Sequence, residues 1–148
     1  MDEFYMKIAL EEAEKAFEKN EVPVGAVLVY KDQIISRAHN QVESLQDATA
    51  HAEMLCLREA TKELGNWRLL DSTLYCTLQP CLMCAGAIIL SRIDRLVWGA
   101  PDLRHGADLT HFLNHPIHKV NVCQGILGEL SSLLLKNFFQ RARHAKTL

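Results

Sequence analysis

The segment LYCTLQPCLMCAGAIILSRIDRLVW, residues 74–98, has the pattern of a strand, a helix and a second strand. Residues 74–78 and 95–98 are short apolar runs of the length that strands have. Residues 81–91 are mostly apolar and are predicted to form a helix, with Pro80 at or near its first position, where the missing N–H of proline costs nothing. Because the connections are short, the two strands are expected to be parallel and to form a βαβ unit.

On both sides of this unit the sequence continues to alternate between helical and strand patterns. Apolar residues recur at helical spacing near both ends of the chain, and the apolar run at residues 24–30 suits a strand covered on both faces. The pattern predicts a single α/β domain over residues 1–148, with three α/β/α layers around a mixed five-stranded sheet. The other predicted elements are helices at 2–19 and 50–64, strands at 34–36 and 119–123, a loop with a short helix at 101–118, and a C-terminal helix with Leu127, Leu130, Leu134 and Phe138 on one face.

The composition is that of a chain able to bury a core, with 148 residues of which 49% are hydrophobic. No apolar run approaches the roughly eighteen residues of a membrane span, and the N-terminus lacks the basic and apolar segments of a signal peptide. A cytoplasmic protein with no membrane span is therefore expected. Five cysteines are an odd number, which in a reducing compartment suggests metal binding or core burial rather than disulfides.

The charge distribution gives weak guidance about nucleic acid. A net charge of −2 argues against a dedicated nucleic-acid binder, which usually has a basic excess. The charge is uneven, however, because residues 1–20 hold six acids and three lysines, whereas no acid follows Leu130. Cations at a helix end also suit the helix dipole, so a solvated helix end and an RNA contact are both open interpretations. The cations of this tail are Lys136, Arg141, Arg143 and Lys146.

Four residues have the spacing of a metal centre with a nearby acid. Cys81 and Cys84 are three apart on one predicted helix, so both thiolates face the same side, and a helix N-terminus favours the thiolate form. His51 begins the preceding predicted helix and supplies an imidazole. Glu53 is two residues further, about 200° around a helix from His51 at about 100° per residue. Both can serve one site only if it lies beyond the helix end, so the two helix N-termini are expected to converge on one ion.

Three protein ligands indicate a catalytic rather than a structural zinc ion, because structural sites usually have four. Zinc activates water near neutral pH, and Glu53 would carry protons from that water to a ring nitrogen and a departing amine. One Zn²⁺ per subunit is therefore expected. A lone Cys-x-x-Cys is more often redox-active or half of a structural zinc site, but its combination with His-x-Glu favours catalysis. Cys56, Cys76 and Cys123 lie in apolar contexts and are predicted to be small core residues.

In these motifs the chain resembles the bacterial tRNA-specific adenosine deaminases of the cytidine deaminase superfamily, whose signature is His-x-Glu with Pro-Cys-x-x-Cys. The resemblance covers nearly the whole chain. It implies a cytidine deaminase-like fold, a homodimer, and hydrolytic conversion of adenosine to inosine at the wobble position of a tRNA anticodon. The blocks that carry it are VPVGAV at 22–27, HN at 39–40, TAHAE at 49–53, CLMCAGA at 81–87, VWGA at 97–100 and NFFQR at 137–141.

The resemblance also implies substrate-binding residues. Asn40 is expected to hydrogen-bond the flipped base, since a carboxamide can pair with a purine edge, although a turn residue at a strand end is the alternative. Asp102 corresponds to a loop acid near the substrate strand. Phe139 and Arg141 are candidates for RNA contact, because single-stranded loops are bound by stacking and by cations, whereas Phe138 is expected to pack in the core.

Two departures from the family pattern concern the same region. Gln79 stands where a glutamate usually precedes Pro-Cys, and it is not expected to bind zinc. Residues 101–118 form a shorter stretch, in which Pro101 replaces a commonly basic residue. The resemblance therefore does not predict how this loop contacts the RNA strand.

Two other functions are compatible with the same motif. The first is a deaminase of a free nucleobase or nucleoside, such as guanine or cytosine, which would act without RNA. The second is a non-catalytic RNA-binding or scaffold subunit that keeps zinc for stability. Glu53 argues against the second, because a structural metal site does not need that carboxylate.

Overall fold

Six helices and five strands make up the described part of the chain, residues 1–147 in a computed structural model. The side chains of residues 146 and 147 and the whole of Leu148 lie outside the described residues, and with them the Lys146 cation of the predicted tail. The helices are α1 (Asp2–Glu18), α2 (Val42–Leu45), α3 (Ala52–Leu64), α4 (Leu82–Leu90), α5 (Leu109–Leu113) and α6 (Gly128–Thr147), and the strands are β1 (Gly25–Tyr30), β2 (Gln33–His39), β3 (Ser72–Leu78), β4 (Arg95–Ala100) and β5 (Asn121–Gln124).

The strands form one mixed sheet in the order β2-β1-β3-β4-β5. Strand β1 is antiparallel to both β2 and β3, whereas β3, β4 and β5 are parallel to one another. Because α4 connects the parallel pair β3 and β4, the predicted βαβ unit is confirmed. The mixed five-stranded sheet of the predicted fold class is confirmed with it.

Helices on both faces of the sheet complete three layers. Helices α1 and α6 pack on one face, and α3, α4 and α5 pack on the other. Alternate residues of β1 enter the two cores, with Val27 and Val29 on the α1 side and Ala26 and Leu28 on the α3 side. This double burial explains why the strand is apolar without interruption.

Gly25 allows α1 to approach the sheet closely. A Cβ atom at this position would lie 2.0 Å from the carbonyl oxygen of Ala9 and 2.7 Å from the amide nitrogen of Ala13. Any other residue would therefore collide with the backbone of α1. The same region at the start of β1 positions Asn40, whose backbone amide donates to Val24 O at 3.0 Å.

Three local features differ from the sequence-based expectation. Helix α2 lies where no helix was expected, and α4 begins at Leu82 with Cys81 as its N-cap, one residue later than predicted. In α6, Leu130 is exposed and Ser131 is buried. Leu127 has a left-handed φ of 54° and lies before α6, so it does not share the register of the helix that follows.

Within residues 1–147, no helix combines the length and the apolar character that a membrane crossing requires.

Candidate active site

The N-termini of α3 and α4 meet near the end of β3, as the spacing of the motif predicted. His51 caps α3 and Cys81 caps α4, both with extended backbone (φ −72°, ψ 152° and φ −73°, ψ 174°). A residue at the N-cap projects its side chain beyond the first turn, where the unpaired amides and the helix dipole favour negative charge. Two such ends therefore create a positive region in which thiolates and a carboxylate are stabilised.

Three donor atoms converge in this region. His51 Nδ1 lies 3.5 Å from Cys81 Sγ and 3.5 Å from Cys84 Sγ, and all three donor atoms lie within 4.8 Å of one another. Among the described residues no other group of three histidine, cysteine or acidic side chains converges in this way.

The spacing of these donors fits a tetrahedral zinc ion. Zn–N distances of about 2.0–2.1 Å and Zn–S distances of about 2.3 Å, at an angle of about 109°, give an N···S separation of about 3.5–3.6 Å. The observed separations differ from this value by no more than about a tenth of an ångström. One imidazole and two sulfurs are also the donor types that zinc prefers. His51 would bind through Nδ1.

The pKa values of the three donors shift in different directions, and only the shift of Cys81 favours the ligating form. Hydrogen bonds from Cys84 and His51 lower the pKa of Cys81 to about 3, so this sulfur is a thiolate at neutral pH. The hydrogen bond to Cys81, together with burial, raises the pKa of Cys84, whose S–H is the donor. The pKa of His51 is raised by its hydrogen bond to Cys81. A cation that binds here displaces these protons, because thiolate and neutral imidazole are the ligating forms.

Glu53 lies in the first turn of α3 and is almost completely buried beside the three donors. It is not part of the converging donor group. Burial raises the pKa of its carboxyl above the usual range. A carboxyl with a raised pKa exchanges protons near neutral pH more readily than an exposed one, as general acid–base catalysis requires.

A cavity of about 590 Å³ opens above this centre. His51, Glu53 and Cys81 line it, and so do Asn40 and Asp102, so the structure brings five of the predicted site residues together. The volume lies within the range of small-molecule sites, about 300–1,000 Å³. The other lining residues are Asn20, Glu21, Val22, Val24, Val42, Glu43, Ala52, Leu78, Gln79, His105 and Phe138.

Asn40 presents an unpaired acceptor at this cavity. Its Nδ2 donates to the carbonyl of Val22 at 3.2 Å, which fixes the orientation of the amide because a carbonyl only accepts. Its Oδ1 is the one buried side-chain nitrogen or oxygen that lacks a partner among the described residues. A buried group without a partner costs about 1–3 kcal/mol, so a hydrogen-bond donor placed at this oxygen would be stabilising.

Asp102 lies in the loop after β4. Its Oδ1 accepts from the backbone amides of Arg104 at 3.2 Å and His105 at 3.1 Å. The carboxylate thus shapes a tight turn at the cavity rim. His105, to which the sequence assigned no role, lines the cavity next to it.

The aromatic tail residues are divided between core and surface. Phe138 is buried and lines the cavity, whereas Phe139 is 44% exposed and packs edge-on against Phe138 at 5.3 Å between ring centroids. Phe139 is not among the residues that line the cavity.

Arg141 contacts the end of α1. Its Nη2 donates to Phe17 O at 2.8 Å and to Asn20 Oδ1 at 3.1 Å, and its guanidinium lies 4.0 Å from the Phe17 ring centroid. The cation therefore satisfies a carbonyl near a helix C-terminus and holds Asn20, which itself lines the cavity. Arg141 does not line the cavity.

Glu21 forms part of the cavity wall, and sequence patterns did not single it out. Its buried carboxylate accepts from the amides of Glu43 at 3.0 Å and Ser44 at 2.6 Å and so caps α2. Burial alone would raise the pKa of Glu21, but a hydrogen bond from the Ser44 hydroxyl and these two amide bonds outweigh burial and lower it. No local signal reveals this role, because the partners are more than twenty residues apart.

The fold and the donor set together define a zinc-dependent deaminase site, with a histidine, two cysteines and a free glutamate at two helix N-termini. In agreement, a family model of the cytidine and deoxycytidylate deaminase zinc-binding region matches residues 1–100, more than half of the chain.

The similar proteins identify one family within the zinc-dependent deaminases. The tRNA-specific adenosine deaminase of Bacillus subtilis (strain 168) is 50% identical, over 98% of this chain and 92% of that protein. The chloroplastic tRNA(adenine(34)) deaminase of Arabidopsis thaliana is 46% identical over 95% of this chain, which spans 12% of that longer protein. A solved structure from a study of A-to-I editing by tRNA:A34 deaminases at the wobble position is 42% identical, with a TM-score of 0.84 over 88% of this chain and 98% of that one. The chain belongs to the family of tRNA-specific adenosine deaminases.

Proposed function

We propose that this chain hydrolyses adenosine to inosine at the wobble position of a tRNA anticodon. The observation that carries the proposal is the N···S spacing of 3.5 Å in a group of three zinc donors, beside the buried carboxyl of Glu53. The similarity of nearly the whole chain to tRNA-specific adenosine deaminases supports adenosine in tRNA as the substrate.

The residues of the chain divide the reaction between them. His51, Cys81 and Cys84 would hold one zinc ion per subunit, which supplies the Lewis acidity that makes water a nucleophile near neutral pH. Glu53 accepts one proton of the water and delivers it to ring nitrogen N1, then transfers the second proton to the amino group. A C6–O bond forms, the C6–N bond breaks, and the products are inosine and ammonia. Burial of Glu53 keeps bulk water from competing for these protons.

Asn40 orients the nucleoside in this proposal. Its free Oδ1 accepts from an N–H of the base or a hydroxyl of the ribose, which satisfies the unpaired oxygen. Binding of a donor is favoured at this position, because the alternative is a buried acceptor without a partner. Asp102, at the rim, lies where the nucleotides that flank the flipped base would pass.

Phe139 and Arg141 are proposed to contact the anticodon stem-loop outside the cavity. Phe139 exposes an aromatic face on which a base can stack. Among the described residues, the hydrogen bonds of Arg141 use only Nη2, so its other N–H groups are available to a phosphate.

A substrate panel tests the proposal. A tRNA anticodon stem-loop, free adenosine, guanine and cytosine are incubated with the purified chain, and inosine and ammonia are measured. We expect inosine at the wobble position only. Turnover of guanine or cytosine without turnover of the stem-loop would instead indicate a free-base deaminase, and binding of RNA without any turnover would indicate a non-catalytic subunit.

The homodimer is proposed to form through the exposed face of α4. This short helix exposes Leu82, Met83 and Leu90, at 64%, 36% and 55% of their surface, and packs beside α3 next to the active site. We expect Leu90→Glu to give monomers in sedimentation experiments. Leu130→Glu, on α6 at a similar exposure of 52%, is the matched control and should leave the dimer intact. A wild-type chain that sediments as a monomer would contradict the proposal.

The cytoplasm is the proposed location. Thiolate metal ligands and free cysteines suit a reducing compartment, and the five cysteines are all free. Cell fractionation with an antibody to the chain tests this, and recovery from an oxidising compartment would contradict it.

A further inference from the structure

We propose that Gln79 is a positioning residue that fastens the loop of residues 101–107 to the metal-binding segment, and so sets the affinity of the site for RNA. The part of this proposal that concerns RNA rests on the function proposed above. The part that concerns the loop does not depend on it.

The carboxamide of Gln79 bridges two points of the loop. Its Oε1 accepts from the backbone amide of Asp102 at 2.9 Å, and its Nε2 donates to the carbonyl of Ala107 at 2.8 Å. Both partners are backbone groups of fixed polarity, so the orientation of the side-chain amide is determined. A single side chain therefore closes the loop at its beginning and at its end.

Only a side chain with both a donor and an acceptor can make this pair of bonds. A carboxylate at position 79 could accept from Asp102, but its second oxygen would face the Ala107 carbonyl with no proton between them. Loss of the donor would leave that carbonyl unpaired and place a negative charge against it. Glutamine and glutamate are thus not equivalent at this position, although they have nearly the same shape.

The absence of a side chain at Gly106 leaves room for the amide of Gln79. A Cβ on Gly106 would lie 2.5 Å from Cδ of Gln79 and 2.5 Å from the carbonyl oxygen of Asp102. The loop can close over the amide only because residue 106 has no side chain. This close fit is independent of the two hydrogen bonds and indicates that loop and amide act as one unit.

The closed loop lies directly against the metal-binding segment. Gly106 forms an isolated antiparallel bridge with Cys81, and the amide of Ala107 donates to Pro80 O at 2.8 Å. The backbone amide of Gln79 itself donates to Ala100 O at 2.8 Å, at the end of β4. The tether therefore holds Asp102 and His105, both lining residues, at a fixed place on the rim.

This role predicts an effect on RNA affinity rather than on chemistry. Asp102 and His105 of the loop line the cavity together with His51, Glu53 and Cys81, but those last three are positioned by the N-termini of α3 and α4. If the tether is released, the loop samples open positions and the RNA must order it on binding. That cost appears in KM, because it is the same in the ground state and the transition state.

The experiment compares Gln79→Glu with the wild-type chain by hydrogen exchange without RNA. Gln33→Glu is the matched control, because it makes the same change of charge at an exposed site at the start of β2. We expect exchange in a peptide covering residues 101–108 to increase about tenfold in Gln79→Glu, the effect of losing one hydrogen bond at a half-buried site. The peptides of α3 and the control variant should be unchanged.

Kinetics with a tRNA anticodon stem-loop complete the test. We expect KM to rise about tenfold in Gln79→Glu, with kcat within about twofold and zinc content unchanged. Gln79→Leu, which lacks both hydrogen bonds and adds no charge, should also raise KM. This variant replaces Gln79→Glu in the test if Gln79→Glu does not fold.

Unchanged exchange in residues 101–108 in both variants would overturn the tether. Faster exchange with a loss of kcat or zinc, and no change in KM, would overturn its role in RNA affinity and indicate that Gln79 instead supports Cys81. A wild-type chain that does not deaminate the stem-loop would refute the proposed function, while the exchange result would still decide the tether.

Discussion

Replacing Glu53 by glutamine preserves the volume of the buried side chain but removes the group that is proposed to carry protons. Two proton transfers depend on this carboxyl, one to N1 and one to the leaving amine. A positioned acid or base contributes typically about 10²–10⁴ in rate for one such transfer. Two transfers at the lower end of this range together contribute about 10⁴, which is therefore the minimum expected effect. We therefore expect kcat to fall at least about 10⁴-fold, equivalent to about 5.5 kcal/mol in activation free energy.

The stability of this variant should not fall with its activity. Burial raises the pKa of Glu53, which means that the folded chain bears a cost for the charged form. A neutral amide of the same shape removes that cost and leaves the three zinc donors in place, so Tm and zinc content should match or exceed those of the wild type. This expectation separates loss of chemistry from loss of fold.

Single-turnover deamination of a tRNA anticodon stem-loop measures the chemical step, with zinc content and Tm determined on the same preparation. Asn40→Asp serves as the comparison, because it alters a residue of the cavity wall that transfers no proton and should act mainly on binding. If Glu53→Gln retained a rate within about tenfold of the wild type, the carboxyl could not be the proton carrier, and the mechanism would be wrong.

Three further predictions concern stability and binding. The ion pair with Arg95 lowers the pKa of Asp2 from 3.8 to about 2, so its stabilisation is present above about pH 4 and is lost as pH falls toward 2. After allowance for solvent screening, the ion pair contributes about 1 kcal/mol to the free energy of unfolding at pH 7, so Asp2→Asn should lower Tm there by about 2–4 °C. The difference in Tm between variant and wild type should disappear near pH 2. Gly25→Ala should destabilise the chain by about 3 kcal/mol in urea unfolding, because its Cβ would collide with Ala9 O at 2.0 Å, and a loss below about 0.5 kcal/mol would contradict that contact. If the three described cations of the C-terminal tail bind phosphates, the affinity for the stem-loop should fall with salt with a log–log slope of about −2, and a slope near zero would exclude such contacts.

The parts of the fold that the sequence predicted depend on local patterns. The βαβ unit and the long first helix have local apolar periodicity. Met6, Leu10, Ala13 and Phe17 recur at helical spacing and predict one face of α1, of which the first three are buried and Phe17 is partly buried. The buried Cys56 and Cys76 also agree with prediction, whereas Cys123 is only partly buried because it lies in the edge strand β5.

The features that the sequence did not predict depend on distant partners. Helix α2 is four residues long and is capped by Glu21, from more than twenty residues away, so no local pattern reveals it. Leu127, directly before α6, has a left-handed backbone although it is not a glycine, so no local pattern reveals that it lies outside the helix.

The same distinction applies to the active site. His51, Cys81 and Cys84 could be assigned because a metal ligand set imposes short, recognisable spacing on each helix. The contact of Arg141 with Phe17 spans 124 residues, and the bond from Gln79 to Ala107 joins a strand end to a loop. Such tertiary contacts decide what a polar residue does, and its type alone does not.

Metal analysis combined with X-ray absorption at the zinc edge is the most direct test of the proposed centre. We expect one zinc ion per chain, bound by one imidazole nitrogen and two sulfurs, with a fourth light-atom ligand that exchanges with solvent. A chain purified without zinc, or an ion enclosed by a fourth protein side chain, would contradict it, because water could then not be activated beside Glu53.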